Sequence, residues 1–126
     1  LVVTSAWRSS AQQYMRYYWK YESGFAHCNI PPTNQPGSGS QEAGYGVEVE
    51  NGASWRAALG GGGFNWGGSN DPSHFYLEGG GDYAKECLRA FQILWNGQND
   101  DDTIDEDGEW GPQTEQKIKE SPINGW

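Results

Sequence analysis

Glycine is the residue that most constrains the fold of this chain. Nineteen of its 126 residues are glycine, and glycine favours tight turns and loops because it accepts backbone conformations that other residues avoid. A chain of this length can bury one modest core and is too short for two full-sized domains. Seven Trp, seven Tyr and four Phe supply large buried areas for such a core. We therefore expect a small protein with many loops and an aromatic core.

Hydrophobic periodicity predicts an α+β fold, in which a small antiparallel sheet is combined with helices. Alternating or apolar runs predict strands at 1–4, 45–50, 64–66 and 74–77. A helix is predicted over 11–22, with Ser9 or Ser10 as its cap. Its tyrosines recur at helical spacing, which favours core packing over a ligand-stacking face. Further helices are predicted at about 53–59, from about 82 onward, and from Pro112 through Lys119.

The net charge of the chain is −9, which argues against nucleic acid or an anionic membrane surface as a partner. No apolar run approaches the length of a membrane-spanning helix, so membrane insertion is not expected. The chain begins at Leu1 without Met, as a processed mature form or a fragment would.

Two cysteines, Cys28 and Cys87, lie far apart and share no spacing typical of a metal site. In an oxidising compartment they would pair and close a long loop, whereas in the cytosol they would remain two buried thiols. The aromatic-rich, lysine-poor composition favours the disulfide and a secreted, extracellular protein.

Three short segments contain residues suited to a metal site. A zinc hydrolase needs three fixed ligands, an open position for water and a nearby carboxylate. Glu48 and His74 are competent ligands, and Asp71, three residues before His74, could act as the general base. Gln41 would complete the set, but a neutral amide is a poor zinc ligand.

These segments resemble the zinc D-alanyl-D-alanine carboxypeptidase family of peptidoglycan peptidases. The family motif S-x-x-R appears as Ser5-Ala6-Trp7-Arg8, and [DE]-x-x-H appears as Asp71-Pro72-Ser73-His74. The motif H-x-x-G-x-A-x-D is altered, with Gln41 for histidine, Gly46 for alanine and Glu48 for aspartate. The resemblance implies a carboxypeptidase-like domain over residues 1–80, in which the motif arginine grips the substrate carboxylate.

The C-terminal part, residues 82–126, resembles a short form of the helical peptidoglycan-binding module. The family pattern [LV]-x-x-[LF]-Q is present as Leu88-Arg89-Ala90-Phe91-Gln92, and D-G-x-[FWY]-G-x-x-T is present as 107–114. A peptidase-like domain beside a wall-binding module is the arrangement expected of a cell-wall protein.

Two functional hypotheses follow. In the first, the chain has lost its zinc and is a lectin-like protein without enzymatic activity or cofactor, which binds cell-wall glycan, N-acetylglucosamine or other N-acetylated amino sugars. In the second, it is an active zinc peptidase that uses Glu48, His74 and an altered third ligand, with Asp71 as base. The substitution at Gln41 favours the first hypothesis, because losing one imidazole weakens zinc binding strongly. The predicted ligand-binding residues are Arg8, Gln41, Glu48, Asp71, His74, Trp7 and Trp66.

Overall fold

The computed structural model describes residues 1–24, 33–79 and 83–122, and it confirms an α+β architecture with a small antiparallel sheet. The strands are β1 (Val3–Ser5), β2 (Gly46–Val49), β3 (Phe64–Trp66) and β4 (His74–Leu77). The helices are α1 (Ser10–Tyr21), α2 (Gly52–Gly61), α3 (Ala84–Gln98) and α4 (Pro112–Glu120). None of the helices within these ranges is long and apolar enough to cross a membrane.

The order of the strands in the sheet is β1-β2-β4-β3, and each neighbouring pair is antiparallel. The two interior strands, β2 and β4, pair Val47 with Phe75 and Glu48 with His74. Directly paired residues project to the same face of a sheet. The register therefore brings the Glu48 and His74 side chains together on one face, although the two residues are far apart in sequence.

A capping box at Ser9 fixes the start of α1. The Ser9 hydroxyl accepts a hydrogen bond from the Gln12 backbone N–H (3.3 Å), and the Ser9 N–H donates to Gln12 Oε1 (3.0 Å). Both bonds satisfy N–H groups that have no partner within the helix. Arg8 directly precedes this cap, and its backbone N–H donates to the Gln41 carbonyl (3.3 Å).

The tyrosines of α1 divide between the core and the surface. Tyr14 is buried, and Tyr18 packs against the core cluster. Tyr21 is exposed, and its ring lies 5.1 Å from that of Tyr17. The predicted core role is therefore confirmed for Tyr14 and Tyr18 and is wrong for Tyr21.

The turn before β4 is packed tightly against the start of α2. A Cβ atom added at Gly52 would collide with the carbonyl oxygen of Pro72 and would lie 3.0 Å from the Phe75 ring. Phe75 is completely buried. Only glycine leaves room for this contact, which fixes the turn that carries Asp71.

In the C-terminal part, the side chain of Gln92 joins α3, the loop at 107–109 and α4. Its Nε2 donates to Asp107 Oδ1 (3.0 Å) and to Thr114 Oγ1 (3.2 Å), and its Oε1 accepts from the Gly108 N–H (2.7 Å). Four residues of the two C-terminal sequence patterns, Gln92, Asp107, Gly108 and Thr114, thus meet at one amide group, which explains their spacing in the sequence.

The N-terminal segment (residues 1–80) and the C-terminal segment (residues 82–126), which the sequence motifs distinguish, contribute to one hydrophobic core. Tyr14 of α1 clusters with Leu88 of α3 and Ile118 of α4, all of them buried. The Trp110 ring lies 5.6 Å from the Tyr14 ring. The C-terminal helices therefore cover a surface that α1 would otherwise expose.

The predicted disulfide involves a residue outside the described ranges, because Cys28 falls between residues 24 and 33. Cys87 is partly buried in α3, and its thiol donates to the backbone carbonyl of Glu42 at 3.2 Å. Burial raises the pKa of the Cys87 thiol. This contact links α3 to the loop that leads into β2.

Candidate functional site

A cleft of about 360 Å³ opens between the start of α1, the loop at 39–41 and the interior strands. Five of the seven predicted ligand-binding residues contribute to its lining: Arg8, Gln41, Glu48, Asp71 and His74. The other lining residues are Gln13, Arg16, Thr33, Asn34, Gly39, Ser40, Tyr45, Gly67 and Tyr76. Most of these side chains are polar, so the cleft suits a ligand with many hydrogen-bonding groups.

The two predicted stacking tryptophans are not among the residues that line the cleft. Trp7 is 63% exposed. Trp66 donates from Nε1 to the Pro72 carbonyl (2.9 Å), and the Arg56 guanidinium lies 4.7 Å from the centre of its ring. Trp66 therefore supports the turn before β4, and the aromatic side chains available in the cleft are those of Tyr45 and Tyr76.

The three positions of the predicted metal site are in contact with one another. Gln41 is buried, and its Nε2 lies 3.2 Å from Glu48 Oε1 and 3.4 Å from His74 Nδ1. An amide nitrogen has two hydrogens to donate. The Gln41 amide therefore donates one N–H to Glu48 and, where His74 Nδ1 carries no proton, can donate the other to His74.

The hydrogen bonds around His74 form a closed set if Nδ1 accepts from Gln41. In that tautomer Nε2 carries the proton and donates to Ser40 Oγ (3.0 Å), and the Ser40 hydroxyl donates to Gln41 Oε1 (3.4 Å). Burial lowers the pKa of His74, although Asp71 and Glu48 oppose this effect, so the neutral ring is favoured. We call Ser40, Gln41, Glu48 and His74 the Gln41 circuit.

Two arginines converge on one oxygen of Glu48. Arg8 Nη2 lies 3.3 Å from Glu48 Oε1, and Arg16 Nη2 lies 3.4 Å from the same atom. Arg8 is buried and also donates from Nη1 to Gln13 Oε1 at 2.7 Å. Burial, followed by the charge of Arg16, lowers the pKa of Arg8, and Glu48 counteracts both effects. The expected carboxylate-gripping residue, Arg8, is thus already engaged within the protein.

This donor set does not fit a zinc site of the family type. Within residues 1–24, 33–79 and 83–122, no group of three or more His, Cys, Asp and Glu side chains is arranged to hold a metal ion. Gln41 turns hydrogens, not lone pairs, toward Glu48 and His74. The Glu48 carboxylate, in turn, is shared by two guanidinium groups. A cation at this point would have to displace these interactions.

Asp71 occupies the wall of the cleft beside His74. Its backbone carbonyl accepts from the His74 N–H (3.1 Å), and its Oδ1 accepts from the Ser73 hydroxyl (3.3 Å). The [DE]-x-x-H segment is therefore a tight turn leading into β4. In this position Asp71 can accept hydrogen bonds from a ligand.

A buried carboxyl group holds the loop that carries Ser40 and Gln41. Glu42 is almost completely buried, and its Oε1 accepts from the Ser10 hydroxyl at 2.6 Å. Its Oε2 accepts from the backbone N–H groups of Gly37 (2.9 Å) and Gly39 (3.4 Å). Burial raises the pKa of the Glu42 carboxyl despite these bonds. Glu42 thus anchors the site loop to the first turn of α1.

Sequence reasoning missed the other lining residues of the cleft, among them Gln13, Arg16 and Ser40. Gln13 and Arg16 are one helical turn apart on α1, so they share a face that the tyrosine pattern obscured. Ser40 directly precedes Gln41, and only the curvature of the loop shows that it reaches His74. Polar residues within the tyrosine-rich helix were the available signal for the first two.

A second, smaller cavity of about 290 Å³ lies beside Gln92, Asp107 and Trp110 in the C-terminal part.

Comparison with protein-family models, with curated proteins and with solved structures found no match. The likeness to peptidoglycan peptidases and to the wall-binding module therefore rests on the motif residues alone.

Proposed function

We propose that this chain is a secreted, non-catalytic binding protein that recognises N-acetylated amino sugars or peptidoglycan fragments in the cleft. Its fold would derive from a zinc D-alanyl-D-alanine carboxypeptidase that has lost its metal. The observation that carries the proposal is the Gln41 amide, which donates toward both Glu48 and His74.

The Gln41 circuit argues against the active-peptidase alternative. A metal-bound water needs an ion that is held by lone pairs of fixed ligands. Here His74 makes hydrogen bonds through both ring nitrogens, to Ser40 and to Gln41. In this arrangement the polar groups satisfy one another, which supports the binding-protein hypothesis over the peptidase.

The lining of the cleft supports an amino sugar as the ligand. Sugar hydroxyls and acetamido groups need both donors and acceptors; the Asp71 carboxylate can accept, and the Thr33 hydroxyl and the Asn34 amide, which also line the cleft, can donate. Tyr76 is 37% exposed, and an exposed ring beside a polar wall can pack on the apolar face of a sugar. The volume of the cleft is near the lower end of the roughly 300–1,000 Å³ range typical of small-ligand sites.

The C-terminal part supports a wall ligand independently of the cleft. Gln92, Asp107, Gly108 and Thr114 are residues of the wall-binding motif, and they meet through hydrogen bonds. A net charge of −9 favours glycan over nucleic acid or anionic membranes as a partner. Secretion would place the chain where such glycans occur.

Calorimetry with N-acetylglucosamine, its oligomers and soluble peptidoglycan fragments tests the proposal. We expect at least one of them to bind, and we expect His74→Ala to weaken binding about tenfold or more, because it removes the partner of Ser40 and Gln41 in the wall of the cleft, and a lost polar contact costs on the order of 1–3 kcal/mol. Tyr76→Ala, which leaves the Gln41 circuit intact, should also weaken binding.

Trp7→Ala is the matched aromatic control, since Trp7 is exposed and does not line the cleft. It should bind like the unmodified protein. If no ligand binds at millimolar concentration, or if His74→Ala and Tyr76→Ala both bind unchanged, the cleft is not a sugar site and the proposal is wrong.

A further inference from the structure

One side of α3 presents apolar residues to solvent in the described part of the protein. Ile93 and Leu94 are each 47% exposed. Ala90 and Gly97 are also exposed, and they lie about one turn before and after this pair on the same side of the helix. The opposite side of α3 is buried in the core, where it includes Leu88. A helix that is apolar on both sides is normally covered on both. We call the four exposed residues the outer face of α3.

The shape of this face suits a second helix. Ala90 has only a methyl group, and apart from the backbone of α3 itself no described atom lies within 4 Å of the position that a Cβ of Gly97 would take. Two helices pack with their axes about 8–10 Å apart when the side chains of one fit between those of the other. Ile93 and Leu94, with a small residue at either end, therefore leave room for the apolar side of a partner helix.

An acidic loop, residues 99–109, is held beside the outer face by side chains of α3. Asn96, three residues after Ile93, donates from Nδ2 to Glu106 Oε1 at 2.9 Å. Arg89, four residues before Ile93, donates from Nε to the Glu106 carbonyl at 3.0 Å. Residues three and four apart are neighbours on the surface of a helix. The Glu106 carboxylate therefore borders the outer face at Ile93.

The acidic loop keeps an excess of negative charge. It contains seven carboxylates, and the cations that contact it within the described ranges are Lys85, Arg89 and Lys117. Seven carboxylates less three cations leave four negative charges. All seven acids are exposed, so this charge can attract a cationic partner, and salt weakens the attraction.

We propose that the outer face of α3 and the acidic loop together bind a cationic amphipathic helix of another protein. The apolar side of that helix lies on Ile93 and Leu94, and its Lys or Arg side chains reach the carboxylates of the loop. A second copy of this chain is a poor occupant, because its net charge of −9 is repelled by the same acidic surface. The described residues that line the cleft belong neither to α3 nor to residues 99–109, so the inference goes beyond the proposed function and does not depend on it.

A designed peptide tests the inference directly. The probe is a helical peptide of about 18 residues, or five turns, with leucine on one side and lysine on the other, and its binding is measured by fluorescence anisotropy. We expect it to bind the unmodified protein. A peptide of the same composition, shuffled so that it has no apolar side, should bind at least about tenfold more weakly. The same helix with glutamate in place of lysine should not bind.

A double variant of the outer face tests the apolar contact. Ile93→Ser combined with Leu94→Ser should weaken binding of the amphipathic peptide at least about tenfold, because two side chains that the peptide covers are removed. Met15→Ser combined with Trp19→Ser is the matched control. These residues of α1 are exposed to a similar degree, 43% and 42%, and their replacement should leave binding unchanged. Thermal unfolding of each variant shows whether it is folded.

A double variant of the acidic loop tests the charge. Asp101→Asn combined with Asp105→Asn should weaken binding about threefold or more and should make it less sensitive to salt. Glu50→Gln combined with Glu78→Gln is the control, because it removes the same charge from exposed positions outside this surface. It should leave both the affinity and the salt dependence nearly unchanged.

Several results would overturn the inference. If the shuffled peptide binds as tightly as the amphipathic one, charge alone explains the binding and the outer face has no role. The same holds if the Ile93 and Leu94 double variant binds unchanged, or if a control pair weakens binding as much as its test pair. Analytical ultracentrifugation examines the other occupant. If the unmodified protein is a dimer that this double variant dissociates, the face binds a second copy and the inference is wrong.

Discussion

The side chain at position 41 determines what the neighbouring Glu48 and His74 can do. An imidazole there would offer a lone pair in place of the two N–H groups that Gln41 directs at these residues. The change is small in volume but reverses the hydrogen-bonding character of the position. Residue 41 is therefore the point at which a binding protein and a metalloenzyme would diverge.

We predict that the unmodified protein holds less than one zinc ion per chain and that Gln41→His raises its zinc content. The substitution supplies a third ligand beside Glu48 and His74, so the affinity should increase by orders of magnitude. Elemental analysis after dialysis against dilute zinc measures both values.

Gln116→His is the control for this measurement, because it adds a histidine on the exposed surface of α4. It should leave the zinc content unchanged. Stoichiometric zinc in the unmodified protein, together with peptidase activity that is lost on chelation, would show that the enzyme hypothesis is correct.

Strand β2 begins at a position where a side chain does not fit. Gly46 opens this strand, and a Cβ atom there would approach the backbone carbon and the Cβ of Ser40 to 2.8 Å. The Ser40 hydroxyl, which bonds His74, would be closer still. The family pattern has alanine at this position, and glycine here makes room for the Ser40 loop.

We therefore predict that Gly46→Ala lowers the free energy of unfolding by about 1–3 kcal/mol, the usual cost of forcing atoms into a packed site. Because Ser40 must shift, the variant should also bind the cleft ligand more weakly. Urea denaturation and calorimetry measure the two effects.

Gly60→Ala provides the contrasting substitution. Gly60 lies in α2, and no atom is within 4 Å of the position that its Cβ would take. Alanine there should stabilise the protein by about 0.5–1 kcal/mol, because it is the better helix former. Equal effects at both positions would show that the space around Gly46 does not determine its role.

The elements themselves could largely be predicted from local sequence. The serine cap defines the start of α1, Pro112 defines the start of α4, and the apolar runs at 64–66 and 74–77 correspond to β3 and β4. Local signals of this kind act within a few residues, which is why patterns detect them.

Contacts between distant elements could not be predicted in the same way. Motif spacing identified Gln41, Glu48 and His74, but the convergence of Arg8 and Arg16 on Glu48 depends on how the start of α1 and the residue before its cap lie beside β2. The exclusion of Trp7 from the cleft likewise follows from packing, which no local rule encodes. Strand order, β1-β2-β4-β3, also lies beyond what periodicity can determine.

At the scale of the whole molecule, the shared core makes the N-terminal and C-terminal parts interdependent. Leu88 of α3 is completely buried against Tyr14 of α1 and Ile118 of α4. The three residues thus come from three different helices. We predict that Leu88→Ala lowers the free energy of unfolding by about 2–5 kcal/mol. Tryptophan fluorescence and far-ultraviolet circular dichroism should report one coincident transition.

Leu94→Ala is the matched control on the same helix, because Leu94 is 47% exposed. Its effect should stay within about 0.5 kcal/mol, as for most surface substitutions. Two separate transitions in the unmodified protein would instead mean that residues 1–80 and 82–126 unfold independently.

The register of the sheet has a consequence for how the chain length can vary. Glu48 and His74 face each other because β2 and β4 are neighbours in the sheet. The number of residues between the two strands does not change which residues are paired. Residues 62–63 form the exposed glycine turn between α2 and β3, where insertions and deletions cost little. A single residue inserted inside β2 or β4 would instead turn Glu48 or His74 to the opposite face of the sheet.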